Sequence, residues 1–190
     1  MANTATEPLR DTEQISAIKG YLKSRPRDYL LFCLGINTGL RISDLLNLSV
    51  GDVFEGDRVR RYLRLREAKT GKEQRIRLNP GSTMALEYFA AQAGYQEPWK
   101  PLFESKRGKA KPLGYVQAWR IIKAACAAVG VKRGIGTHSL RKTWGYHARK
   151  KGVSIEIIQA KFGHSSPKET MKYIGITADE IQSAEMYVSL

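Results

Sequence analysis

Apolar residues along this chain recur at two periods. Ile15, Ile18 and Leu22 fall at helical spacing behind Asp11-Thr12-Glu13-Gln14, an acid at a cap position with glutamine three residues on. Tyr29 to Ile36 is almost continuously apolar and reads as a buried helix ended by Gly39, with a short helix from Arg41 to Leu48 behind it. The period then changes to two. Leu63 and Leu65 alternate with Arg64 and Arg66, and Ile76 and Leu78 alternate with Arg75 and Arg77, about a turn at Lys69-Thr70-Gly71-Lys72. This predicts a β-hairpin with one apolar and one arginine-rich face.

Helical spacing resumes after Asn79-Pro80-Gly81 through Met84, Leu86 and Phe89 to Gly94. A basic loop, 104–112, precedes a helix marked by Val116, Trp119, Ile122 and Val129. Thr137 is predicted to cap a helix running to Gly152, and Ser154 a short one carrying Ile155, Ile158 and Phe162. Ser166-Pro167-Lys168-Glu169 is a capping box with proline at the first helical position, so Tyr173 falls on the second turn of a helix that ends at Gly175. Thr177-Ala178-Asp179-Glu180 opens a tail helix with Ile181, Ala184 and Val188 on one face. The expected fold is mainly α with one small antiparallel β-sheet (α+β). Residues 1–10 are expected to be a flexible N-terminus, 11–176 one domain, and 177–190 the tail.

Charge narrows the partners. The 190 residues carry a formal net charge of +14, an excess that favours a polyanion through counterion release. No apolar run approaches membrane-spanning length, and the first residues lack the basic and apolar segments of a signal peptide. Cys33 and Cys126 both lie in apolar helical patterns, as free buried thiols of a reducing compartment do. Two cysteines and three histidines show no metal-ligand spacing, and no cofactor is expected.

The unusual chemistry lies between Thr137 and Tyr173. His138 and Arg141, three apart on a helix, can reach one small target, and the first turn carrying His138 favours an anion. His164 follows a helix-stopping glycine, and Tyr173 follows nine residues later. Far upstream, Arg41 opens a helix with Asp44 one turn on, and Lys69 sits at the hairpin tip. Each has an ordinary reading: a solvated helix face, a capping histidine, a packed aromatic, a surface ion pair, a turn lysine.

Taken in order, Gly39-Leu40-Arg41-Ile42-Ser43-Asp44, Lys69-Thr70-Gly71-Lys72, His138-Ser139-Leu140-Arg141, Gly163-His164-Ser165-Ser166 and Tyr173 resemble the tyrosine recombinase (phage integrase) family over nearly the whole chain. The resemblance implies that family's mixed, mostly helical catalytic domain over 11–176. It implies Tyr173 as a nucleophile forming a 3′-phosphotyrosyl link to DNA. Arg41 and Arg141 then clamp the non-bridging oxygens, Lys69 protonates the departing 5′-oxygen, His138 is the acid–base partner of the tyrosine, and His164 donates a further hydrogen bond. The expected activity is site-specific recombination or integration. The alternatives are a non-catalytic DNA-binding module and a relaxing topoisomerase.

The chemistry agrees with these roles. A phenol of pKa about 10 is a poor nucleophile at neutral pH. Two guanidiniums are expected to favour phenolate and to stabilise the pentavalent transition state. A positioned acid contributes roughly 10²–10⁴-fold at the leaving oxygen.

The expected partner is double-stranded DNA, in the cytoplasm of a bacterial or phage-infected cell and away from any membrane. Arg64, Arg66, Arg75 and Arg77 on the sheet, Lys106 and Arg107 in the basic loop, and Arg120 and Lys123 on their helix are its candidate phosphate contacts. Asp44 stands where glutamate is common in the family. Members usually carry a separate N-terminal DNA-binding domain, whereas forty residues precede Arg41 here. A catalytic fragment or a minimal enzyme is therefore expected, neither holding a specific site tightly unaided. A homo-oligomer, a tetramer on paired sites, is expected to be joined through the tail.

Overall fold

The computed structural model describes residues 6–66, 71, 73–105, 110–131, 134–177, 180 and 182. Helices dominate: α1 (Thr12–Leu22), α2 (Pro26–Thr38), α3 (Ile42–Leu46), α4 (Pro80–Ala93), α5 (Tyr115–Ala128), α6 (Thr137–Lys150), α7 (Ile155–Phe162) and α8 (Pro167–Ile174). Strands β1 (Phe54–Glu55), β2 (Arg58–Val59), β3 (Tyr62–Arg66) and β4 (Glu73–Arg77) fill the stretch between α3 and α4.

The single expected sheet is two antiparallel ribbons, β1–β2 and β3–β4. Gly56, at φ 59°, turns the first ribbon where the chain has only two residues to reverse. In the second ribbon Leu63 pairs with Ile76, Arg64 with Arg75 and Tyr62 with Arg77. That register places Leu63, Leu65 and Ile76 on the core side and all four arginines on the other face.

Side-chain caps explain the starts of half of these helices. The side chains of Asp11, Asn79, Ser154 and Ser166 accept from backbone N–H groups in the first turns of α1, α4, α7 and α8. Two predicted details differ. Gly136, not Thr137, is the cap of α6: its N–H donates to Ser139 Oγ at 3.1 Å, and the Thr137 hydroxyl donates instead to Tyr115 Oη at 2.9 Å. Val116 is 58% exposed, and α5 buries Ala118, Ile121, Ile122, Ala125 and Cys126 instead.

The hydrophobic interior has two parts. The larger is built around α2, with α1, α4 and α6 against it and α5 packed on α1 and α6, and it contains both cysteines. The smaller joins Ile158, Phe162 and Ile174 of α7 and α8 to Trp144 and Ala148 of α6. Helix α6 therefore belongs to both. Against α2 it approaches so closely that a Cβ on Gly35 would lie 2.5 Å from Leu140 Cδ1. Against α8, a Cβ on Gly145 would lie 2.6 Å from Ile174 Cγ2 and 2.9 Å from Phe162 Cε2.

Residues 6–10 differ from the expected flexible N-terminus, because they are tied to α6. Leu9 is buried, its N–H donates to Thr143 Oγ1 at 2.8 Å, and its carbonyl meets His147 Nε2 at 2.9 Å. The tail reading falls mostly on residues outside those described. Its capping box is present: Thr177 N–H donates to Glu180 Oε2 at 2.9 Å, and Glu180 N–H to Thr177 Oγ1 at 3.3 Å. Among the described residues no helix is long and apolar enough to cross a membrane.

Candidate active site

The site forms where the two interiors meet. Helix α2 stops at Gly39, whose left-handed φ of 65° turns its carbonyl toward α6. Arg141, 6% exposed, donates from Nη1 to that carbonyl at 2.6 Å and from Nη2 to the carbonyl of Phe162 at 3.0 Å. Its guanidinium also lies over the Phe162 ring, 4.2 Å from the centroid. Arg41, the cap residue of α3, reaches the same Phe162 carbonyl from Nη2 at 3.3 Å, with Nη1 4.0 Å from the buried Asp44 carboxylate. Two arginines a hundred residues apart in sequence thus meet at the last carbonyl of α7. That end of a helix carries partial negative charge and favours cations.

Tyr173 stands beside this pair. Its ring packs edge-on against His164 at 4.8 Å and Phe162 at 5.5 Å between centroids. Burial raises the phenol pKa above its ordinary value, while Arg141, hydrogen-bonded to it, and Arg41 pull the other way. The expectation that the guanidiniums favour phenolate holds for their own effect, but burial outweighs it. His164 is oriented by a 3.0 Å contact between its Nδ1 and Thr170 Oγ1. Burial, partly opposed by Glu169, lowers its pKa, with Arg141 and Arg41 acting in the same direction as burial.

His138 lies at the open end of α6 with an exposed edge. Partial desolvation and then Lys142 and Arg141 lower its pKa, so at neutral pH it is an imidazole able to accept a proton. Lys69 lies outside the described residues, as do Lys106 and Arg107. Arg64, Arg66, Arg75, Arg77, Arg120 and Lys123 are all exposed. Three of them already have contacts: Arg75 over the Tyr62 ring at 3.8 Å, Arg66 with Glu73 at 3.8 Å, and Lys123 over Trp119 at 4.7 Å. Among the described residues no three His, Cys, Asp or Glu side chains gather as metal ligands.

Several site groups escaped the sequence reading. Lys142 places its ammonium 5.0 Å from the centroid of the Tyr173 ring. Lys161 lies 4.7 Å over Trp144, and burial, aided by Arg141, pushes it down to about 8. The Phe162 carbonyl has no side-chain signal at all. Thr170 could have been found from its position one helical turn before Tyr173.

Residues 10–180 match the profile of the phage integrase family. The chain belongs to that family. The probable integrase/recombinase YoeC of Bacillus subtilis is 40% identical over 179 residues, covering 94% of each chain. The tyrosine recombinase XerA of Pyrococcus furiosus is 31% identical over 183 residues, 95% of this chain and 61% of that one. Within the family this chain corresponds to the tyrosine recombinase catalytic domain, and the resemblance read from the sequence stands. The crystal structure of XerA recombinase superposes with a TM-score of 0.77 at 19% identity, over 98% of this chain and 65% of that chain. XerH site-specific recombinase bound to palindromic difH substrate, in a post-cleavage complex, gives 0.74 at 18%, over 97% of this chain and 53% of that chain. These two likenesses establish the fold.

The close approach at Gly145 yields a first prediction. Gly145→Ala should force α8 away from α6, costing about 1–3 kcal/mol of stability by overpacking and slowing any reaction that uses Tyr173. Chemical denaturation of both proteins checks it. An unchanged midpoint would show that α8 yields freely.

Proposed function

We propose that this chain cuts and rejoins DNA as the catalytic domain of a site-specific tyrosine recombinase, with Tyr173 as nucleophile. The observation that carries the reading is the meeting of Arg41 and Arg141 at one carbonyl beside the phenol of Tyr173. Two guanidiniums at one place complement the paired non-bridging oxygens of a phosphodiester. His138 takes the phenol proton as the tyrosine oxygen attacks phosphorus. The bond from phosphorus to the 5′-oxygen breaks, Lys69 protonates that oxygen, and a 3′-phosphotyrosyl link and a 5′-hydroxyl result. Because one ester replaces another, the reverse attack by a 5′-hydroxyl reseals the strand. His164, held by Thr170, donates to the phosphate. The work is done on double-stranded DNA in the cytoplasm, by a tetramer on paired sites.

Covalent capture tests the reading. A duplex nicked near the scissile position loses its short 5′-hydroxyl fragment by diffusion and traps the adduct. A phosphotyrosine mapped to Tyr173 supports the proposal. Binding without an adduct would make the chain a DNA-binding module, and relaxation of supercoiled DNA without sequence preference would make it a topoisomerase.

The arginine face of the β3–β4 ribbon makes a separate prediction. Replacing Arg64 and Arg75 by glutamine should weaken DNA binding and reduce the slope of log affinity against log salt by about 2, near one unit for each phosphate contact. A titration at several salt concentrations reads it directly, and an unchanged slope would leave both arginines to solvent.

A further inference from the structure

We propose that residues 6–10 form a strap that positions Tyr173, fastened by Arg10 and Lys142 on either side of the phenol-bearing turn. The proposal rests on Tyr173 being the nucleophile. Helix α8 is only eight residues long, and Tyr173 lies in its last turn. Such a helix is marginal on its own, and its end opens first. Its terminal turn is closed by Gly175 in the left-handed region, with Gly175 N–H donating to the Lys172 carbonyl and Ile176 N–H to the Met171 carbonyl.

The strap adds a grip at each side. Arg10 Nη2 donates to the carbonyl of Gly175, two residues beyond Tyr173, and places a cation at the negative end of α8. The same guanidinium lies 3.8 Å from Glu7 and 3.6 Å from Glu180, so the segment after α8 is held as well. On the other side Lys142 Nζ donates to the Thr6 carbonyl at 2.6 Å while lying 5.0 Å from the Tyr173 ring. Glu7 N–H donates to the Gly134 carbonyl at 2.6 Å, anchoring the strap to the loop before α6. The fit at Gly175 is close: a Cβ there would meet Arg10 Nη2 at 3.1 Å, Pro8 Cδ at 3.2 Å and Glu7 Oε2 at 3.4 Å. One short segment therefore holds the end of the nucleophile's helix directly through Arg10 and, through the Thr6 carbonyl, holds Lys142 of α6 over the nucleophile's ring. Whatever displaces the strap moves Tyr173.

The test uses the full chain with Arg10→Ala, Arg10→Lys and Lys142→Met. In protein labelled at the tyrosine Cζ, the Tyr173 resonance is identified by its absence in Tyr173→Phe. Arg10→Ala and Lys142→Met should shift or broaden that resonance, and Arg10→Lys should return it toward the native position. Single-turnover cleavage of bound nicked duplex should fall about 10- to 100-fold in the first two variants, as a misplaced nucleophile predicts, with DNA affinity changed less than about threefold. A native-like resonance in Arg10→Ala and Lys142→Met overturns the strap, and so does a rate loss that merely tracks loss of folded protein on melting. Failure of the native chain to form an adduct would instead strike the assigned reaction, and the resonance would still decide the strap.

Discussion

Tyr173→Phe should form no covalent adduct with nicked DNA and should bind the same DNA within about threefold of the native affinity. The change removes one oxygen and leaves the ring against Phe162 and His164. The lost hydrogen bond to the charged Arg141 is worth roughly 1.5–3 kcal/mol, less than the usual stability of a domain. Denaturing electrophoresis reads the adduct, and an adduct that persisted would place the nucleophile elsewhere. The raised phenol pKa sharpens the expectation. Near neutral pH the tyrosine is protonated and depends on a base. Without one, attack follows the phenolate fraction, which grows about tenfold per pH unit below the pKa. His138→Gln should therefore cleave slowly at neutral pH and recover steadily as pH rises, without levelling before pH about 10. A flat profile would remove His138 from the proton transfer.

The helices were legible because caps and stops are local. Asp11, Asn79, Ser154 and Ser166 need only their own first turns, and Gly39, Gly163 and Gly175 need only a left-handed φ. The hairpin's two faces followed from alternation alone. What the pattern missed depends on long-range contact. Residues 6–10 have no periodic signal, yet Thr143, Lys142, His147 and Gly134 hold them through backbone groups. The spacing of Val116, Trp119 and Ile122 marks the helix, but the face that α5 buries is chosen by what packs on it, and Val116 is left exposed. The two-residue strands β1 and β2 are too short for alternation to register.

The site was legible in a different sense. Order along the chain identified the residue types that resemble one family, while no local rule joins Arg41 to Arg141. Their meeting requires Gly39 to end α2, Gly35 to admit Leu140, and Gly163 to end α7 at the shared carbonyl. Burial also changed the electrostatics. The sequence suggested that the arginines govern the phenol, whereas the smaller interior that holds Tyr173 in place makes it harder to ionise. The same packing that holds Tyr173 in place thus makes any attack by its oxygen depend on a base.

Arg141→Lys should separate the two roles of the arginine. The native fork holds the carbonyls of Gly39 and Phe162 from different nitrogens, so it ties α2, α6 and α7 together. Arg141→Ala takes the donor from the Gly39 carbonyl, at about 1–3 kcal/mol, and leaves the Phe162 carbonyl to Arg41 alone, so it should be both unstable and inactive. Lysine keeps the charge and can satisfy one carbonyl, but its point charge cannot span two acceptors while also facing a phosphate. The expected loss of stability in Arg141→Lys is therefore about 1–2 kcal/mol. Its cleavage rate should fall by about 10²–10³, the scale for losing a donor to a charged transition state. Denaturant unfolding and single-turnover cleavage of the same preparation measure both. If Arg141→Lys cleaved at the native rate, the guanidinium would be a structural tie alone, and the phosphate clamp would have to rest on Arg41 and other cations.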